Sequence, residues 1–315
     1  MFRRFRLVPD DTRISFMRYQ YIGYAFSAAL VLLTVILLPT KGLNFGIDFQ
    51  GGIMIEVGMP GEVADLAAMR TALGELELGE VALQEFGAPT DVLIRVQRQE
   101  GGEEAQQAAV EQVRATLTEA FGEGISYRRV EFVGPKVSSE LLWASTQAVI
   151  YSIIAILVYI WFRFEWQYGI GAILALVHDT VTTLGLFVLF DLEFNLSSVA
   201  ALLTIVGYSL NDNVVIYDRV RENLRKYKAM PLPELLDLSI NQTLARTVMT
   251  SLTTLLALFA LVTFGGPVIR DFTIAMIWGV VIGTFSTVYV ATPVLMHLNL
   301  RRAGEPAPAA AAQTP

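Results

Sequence analysis

Two charged side chains stand in stretches otherwise apolar enough to cross a lipid bilayer. Asp212 lies in Thr204-Ile-Val-Gly-Tyr-Ser-Leu-Asn-Asp-Asn-Val-Val-Ile-Tyr217, and Arg246 opens Arg246-Thr-Val-Met-Thr-Ser-Leu-Thr-Thr-Leu-Leu-Ala257. A charge near the middle of a bilayer costs roughly 2.5–3.5 kcal/mol even on the lenient insertion scale. Opposite charges on two helices offset that cost by pairing. Low dielectric favours the neutral carboxyl and a nearby guanidinium favours the charged one, so one proton can decide whether the pair holds or lets go. Thr204, Tyr208 and Asp212 are spaced by four, with Ser209 and Asn211 beside that line. Arg246, Thr250 and Thr253/Thr254 form a second line. Residues three and four apart share a helix face, so two such lines facing each other make a hydrated seam. Its proton-coupling set is Asp212, Arg246, Asn211 and Thr250. The competing reading places Asp212 at the membrane surface with Asp218 and Arg219, and lets Arg246 reach the headgroups.

His178-Asp179 is a second candidate, with Thr182 and Thr183 one turn on. A buried His-Asp pair in a membrane reads equally as a proton relay or as a structural hydrogen-bonding pair between helices. Gly279-Trp-Val-Val-Ile-Gly283 is a GxxxG motif and reads as a helix contact. The absence of cysteine excludes disulfides and thiolate chemistry, and two histidines do not make a histidine-rich metal site. No catalytic group, metal or cofactor is expected, and nothing suggests nucleic acid.

The elements that position these residues follow from composition. Of 315 residues, 54% are hydrophobic and 17% charged, with mean hydropathy +0.51. That points to a polytopic α-helical membrane protein. A first apolar run covers 21–38 after an arginine-rich start (Arg3, Arg4, Arg6, Arg13, Arg18). It is long for a cleavable signal and no small-x-small site follows, so it reads as an uncleaved transmembrane helix. Five more spans are expected at roughly 141–162, 168–190, 195–216, 246–265 and 272–298 within 137–300. Residues 218–243, with Pro231 and Pro233, read as an extension of the fourth helix plus a short interfacial helix. Bases in 1–20, at Arg163, in the loop Arg219 to Lys228 and at Arg301-Arg302 fall on one side, which predicts cytoplasmic termini. The tail 301–315 reads as disordered. Counted from Ser198 inward, Asp212 lies about 21 Å deep, and Arg246 lies about 27 Å from Phe264 at ~1.5 Å per residue. Both then sit in the cytoplasmic half.

Residues 39–136 carry 16 acids against 8 bases, whereas the rest carries 14 against 15. The acidity belongs to an outer, periplasmic segment. Ile53–Val57 reads as a strand and Val63–Leu76 as a helix. Val81–Phe86 and Val92–Val96 read as strands joined through Gly87, Pro89 and Asp91. Glu103–Phe121 reads as a helix and Ser126–Val133 as a strand. The order β-α-β-β-α-β is the ferredoxin-like arrangement, an α+β domain. Asp48, Gly51 and Gly52 at its entry, with Gly134 and Pro135 at its exit, read as hinges.

Taken together, several blocks resemble the SecF branch of the SecD/SecF family of Sec protein-export membrane proteins. They are Phe45-Gly-Ile-Asp-Phe-Gln-Gly-Gly52, Val133-Gly-Pro135, Ala175-Leu-Val-His-Asp179, Gly207-Tyr-Ser-Leu-Asn-Asp212, Asp218-Arg-Val-Arg-Glu-Asn223 and Arg246-Thr-Val-Met-Thr-Ser-Leu-Thr-Thr-Leu255. Their order and spacing carry the resemblance over about residues 20–300. It implies a six-helix half of a transporter of the resistance-nodulation-division (RND) superfamily in the bacterial inner membrane, completed by SecD and associated with the SecYEG channel. YajC and YidC are further implied neighbours, with SecA acting upstream on the unfolded preprotein. It also implies use of the proton motive force, with Asp212 and Arg246 as functional residues. Two other readings stay open: half of a proton-coupled exporter of small molecules or lipids, and a passive scaffold.

Overall fold

The computed structural model describes residues 8–300 apart from 10–11, 62, 80 and 299. Arg3, Arg4, Arg6, Arg301, Arg302 and the alanine-rich tail lie outside the described residues. In chain order the elements are α1 (Gln20–Lys41), β1 (Asn44–Phe45), α2 (Ile47–Gln50), β2 (Gly52–Gly58) and α3 (Leu66–Gly74). Next come β3 (Val81–Phe86), β4 (Ala88–Val96), α4 (Gly102–Phe121), β5 (Ser126–Val133), α5 (Pro135–Arg163) and α6 (Trp166–Phe190). The chain closes with β6 (Glu193–Phe194), α7 (Leu196–Lys226), α8 (Leu232–Phe264) and α9 (Arg270–Ser286), the last continued by a π-helical turn at Thr287–Ala291.

Six helices among the described residues are long and apolar enough to cross a membrane: α1, α5, α6, α7, α8 and the α9 helix with its continuation. Half or more of the most apolar window is buried in α6, α7 and α9, and none of it in α5. The bundle therefore has an inner trio and an outer trio. Glycines set how closely they approach. A Cβ on Gly279 or Gly283 of α9 would run into Ile205 or Ser209 of α7, so the GxxxG face meets α7. Gly279→Leu is expected to lower the thermal unfolding midpoint in detergent, at a cost of about 1–3 kcal/mol from overpacking. Gly207→Ala, whose Cβ meets nothing within 4 Å, should leave it unchanged; equal melting of both variants contradicts the close approach.

The polar stretch after Asp218 forms no separate interfacial helix. α7 runs on to Lys226, and α8 is one helix from Leu232. Pro231 takes the N-cap position and Pro233 the first turn. A missing N–H costs nothing there, so these prolines start a helix rather than break one.

Between α1 and α5 the chain forms a four-stranded antiparallel sheet in the order β3-β4-β2-β5. β2 is central and all seven of its residues are buried. Ile53, Ile55 and Val57 face a core with Val92, Ile94, Met69, Leu73, Val113 and Leu117 under α3 and α4. Met54 and Leu93 face the other way, onto Ile47 of α2. The Asp65 carboxylate accepts from the Ala67 and Ala68 amides at 3.1 and 3.0 Å, which starts α3 at Leu66 rather than at Val63. The β3–β4 turn is tighter than its composition suggests. Pro89 and Asp91 lie within β4, where the Pro89 carbonyl accepts from the Ala64 amide.

Candidate functional site

Asp179 sits midway along α6 and is fully buried, with 0% exposure. Its Oδ2 accepts from Ser209 Oγ of α7 at 2.6 Å and from Ser286 Oγ of α9 at 2.9 Å. Its Oδ1 faces His178 Nδ1 at 2.9 Å. Thr182 and Thr183 donate to its backbone carbonyl at 3.2 and 2.7 Å. One carboxyl group thus ties the three inner helices together through its contacts with Ser209, Ser286 and His178. Ser286 was not singled out from sequence. Its signal is its place after Gly279 and Gly283, on the same small-residue face of α9.

Asp212, on the next stretch of α7, is also buried, at 3% exposure. Its Oδ2 is buried with no hydrogen-bond partner among the described residues, and the same holds for Thr247 Oγ1 and Asn213 Oδ1. Arg246 is exposed on α8. Two cross-helix bonds fix the register of α7 and α8. Tyr208 Oη donates to Ser251 Oγ at 3.2 Å, and Asn223 Nδ2 donates to Ser239 Oγ at 2.9 Å. Between them, Arg246 and Thr247 come level with Asp212. The Arg246 charge acts on Asp212, yet no ion pair within 4 Å joins them among the described residues. They are neighbours at one level, not a contact. Asp212 is buried within the bundle, whereas Asp218, further along α7, pairs with Arg163.

The polar seam runs one residue away from the line drawn on composition. Asn211 is exposed. The hydroxyls of Thr204, Thr250, Thr253 and Thr254 donate to carbonyls of their own helices. The cross-helix chain is Tyr208–Ser251–Thr284, with 2.9 Å between Ser251 Oγ and Thr284 Oγ1. The buried polar face of α8 is Ser239, Thr243, Thr247 and Ser251. Two four-spaced polar lines lie side by side on this helix. Only packing against α7 and α9 selects one of them.

The expected hinges divide into two kinds. Gly51 and Gly52 adopt φ of +73° and +121°, and a Cβ on Gly52 would strike the Val96 carbonyl at 2.6 Å. Glycine is required there. Gly134 has an ordinary extended backbone and open space around it. Pro135 opens α5. Asp48 Oδ2 accepts from the Leu196 amide at 2.9 Å, at the start of α7. Nearby, β1 pairs in parallel with β6. Arg95 of β4 reaches down to that pair, donating to Glu193 Oε2 at 2.5 Å and to Asn44 Oδ1 at 2.8 Å. Burial pushes the Glu193 carboxyl above its ordinary range, and Arg95 acts against that shift. Arg95→Ala is expected to cost about 1–3 kcal/mol of docking. The check is amide exchange at Phe45 and Phe194, which should quicken; unchanged exchange means Arg95 does not hold the outer segment.

Residues 36–59 match the family model described as the SecD/SecF GG motif. Residues 112–301, well over half of the chain, match the one described as protein export membrane protein SecD/SecF, C-terminal. The chain is 47% identical over 290 residues to the protein translocase subunit SecF of Rickettsia bellii, covering 92% of this chain and 95% of that protein. It is 45% identical over 311 residues to the protein translocase subunit SecF of Rhodobacter capsulatus, covering 95% and 93%. Among solved structures, the translocon-associated membrane protein SecDF of Thermus thermophilus superimposes with TM-score 0.83 at 35% identity. That match covers 92% of this chain and 39% of the other. SecDF in a super-membrane-facing form gives TM-score 0.67 at 33% identity, over 94% and 40%. The chain therefore spans about two fifths of the solved SecDF chains.

Proposed function

The chain belongs to the SecD/SecF family of protein-export membrane proteins, and from that membership we propose that it is the SecF-type half of a proton-driven export machine in the bacterial inner membrane. SecD supplies the matching helical half. The pair works at the SecYEG channel, with YajC and YidC as further neighbours. It draws the late part of an unfolded preprotein outward after SecA-driven insertion, using the proton motive force. Arg163, Arg219, Arg221, Arg225 and Lys226 gather at one end of the bundle, which supports cytoplasmic termini and a periplasmic place for residues 39–136.

The observation that carries the reading is Asp212: buried, with one carboxyl oxygen unpartnered, level with the Arg246 charge. A carboxylate so placed is costly when ionised and alone. Two things satisfy it, a proton or the guanidinium. Alternation between them moves α8 against α7. The start of α7 is held by Asp48, and the outer segment is held to β6 by Arg95, so the movement has a path outward. Lysine keeps the charge of Arg246 but loses its planar fork. Arg246→Lys is expected to lower gradient-dependent export several-fold without abolishing it, read as the rate of preprotein release from energised membrane vesicles. A wild-type rate in Arg246→Gln contradicts the role of the charge.

A further inference from the structure

We propose that the charged recess between the α5–α6 turn and the far end of α7 binds the phosphate headgroup of an anionic phospholipid. Asp218, Arg221, Glu222 and Arg225 stand at positions i, i+3, i+4 and i+7 and share one face of α7. With Arg163 and Lys226 they line an open cavity of about 570 Å³.

The charges in this recess are already sorted. Arg163 Nη2 donates to both Asp218 oxygens at 2.8 and 2.9 Å. Glu222 is held by Arg219 at 2.9 Å. Arg221 and Arg225 have no carboxylate within 4 Å among the described residues. The two acids are engaged and two guanidinium groups remain for an anion. Arginine's planar fork suits phosphate oxygens.

The surroundings favour a lipid over a soluble anion. Trp161, Phe162 and Trp166 flank Arg163 and are 75%, 94% and 57% exposed. Exposed tryptophans beside a charged helix end mark headgroup depth. Toward the membrane interior, Val158 and Ile154 continue an exposed apolar face of α5, along which an acyl chain can lie. Basic pockets between membrane helices at this depth hold anionic headgroups. The inference stands whichever leaflet this end of the bundle meets, and so is independent of the proposed proton coupling.

The test is native mass spectrometry of the full chain in detergent, titrated in turn with phosphatidylglycerol, phosphatidylcholine and inorganic phosphate. Phosphatidylglycerol should be retained and phosphatidylcholine stripped. The double variant Arg221→Gln/Arg225→Gln should weaken phosphatidylglycerol binding roughly tenfold. Arg13→Gln/Arg18→Gln removes as much charge at the same end and should leave binding unchanged. Equal weakening by both variants means diffuse surface charge and overturns the site. So does equal retention of the two lipids, or displacement of the lipid by millimolar phosphate. A measurement without any variant is tryptophan quenching in phosphatidylcholine vesicles. Brominated phosphatidylglycerol should quench more than brominated phosphatidylcholine at the same mole fraction, and equal quenching contradicts the proposal.

Discussion

Asp212→Asn is expected to remove the whole proton-gradient-dependent part of export while the complex with SecD still assembles. Asparagine has nearly the same shape, and the buried carboxyl oxygen has no hydrogen bond to lose among the described residues, so the fold should persist. What disappears is the ability to take up a proton or to attract Arg246 as an anion. In energised vesicles the variant should release preprotein at the rate of wild type treated with an uncoupler. Co-purification with SecD should be unchanged. A passive scaffold predicts the reverse, a fall in complex yield with gradient dependence intact in whatever assembles. Asp212→Glu, which keeps a titratable group, should restore part of the dependence.

Asp179→Ala carries the largest expected loss of stability. It leaves Ser209 and the His178 ring without the group they bond, and Ser286 with only the Gly283 carbonyl, at a fully buried position. Each buried donor left unsatisfied costs about 1–3 kcal/mol, so a total of about 3 kcal/mol or more is expected. The reading is the melting midpoint in detergent or the folded fraction in the membrane. Asp179→Asn keeps one acceptor oxygen and should melt between alanine and wild type. Because the carboxylate joins three helices, the asparagine variant is expected to keep gradient-dependent export in proportion to its folded fraction. Loss of export from fully folded Asp179→Asn would instead make His178-Asp179 a relay.

Several parts of this architecture are written locally and others are not. The six crossings follow from hydropathy, because each apolar run is long enough to cross a bilayer. Their polar ends do not: α7 and α8 extend beyond the apolar runs since nothing between Asp218 and Lys226, or after Pro233, stops a helix. Asp212 and Arg246 stand out as charges among apolar neighbours, and His178-Asp179 does too. The partners of Asp179 lie 30 and 107 residues away, in serines that are unremarkable one at a time. On α8 the sequence offers two adjacent four-spaced polar lines that are chemically alike and differ only in what packs against them. Asp48 stands in a glycine-rich stretch that reads as a joint. Its bond to the Leu196 amide is a long-range contact that no local pattern announces.

The most direct measurement of the central claim is proton movement itself. Vesicles holding the complex with SecD, a preprotein arrested in the channel and an entrapped pH indicator would be given an inward proton gradient. Wild type is predicted to pass protons as the preprotein is released, and Asp212→Asn to pass none above the level of vesicles lacking the complex. Equal proton entry in the two would contradict the account.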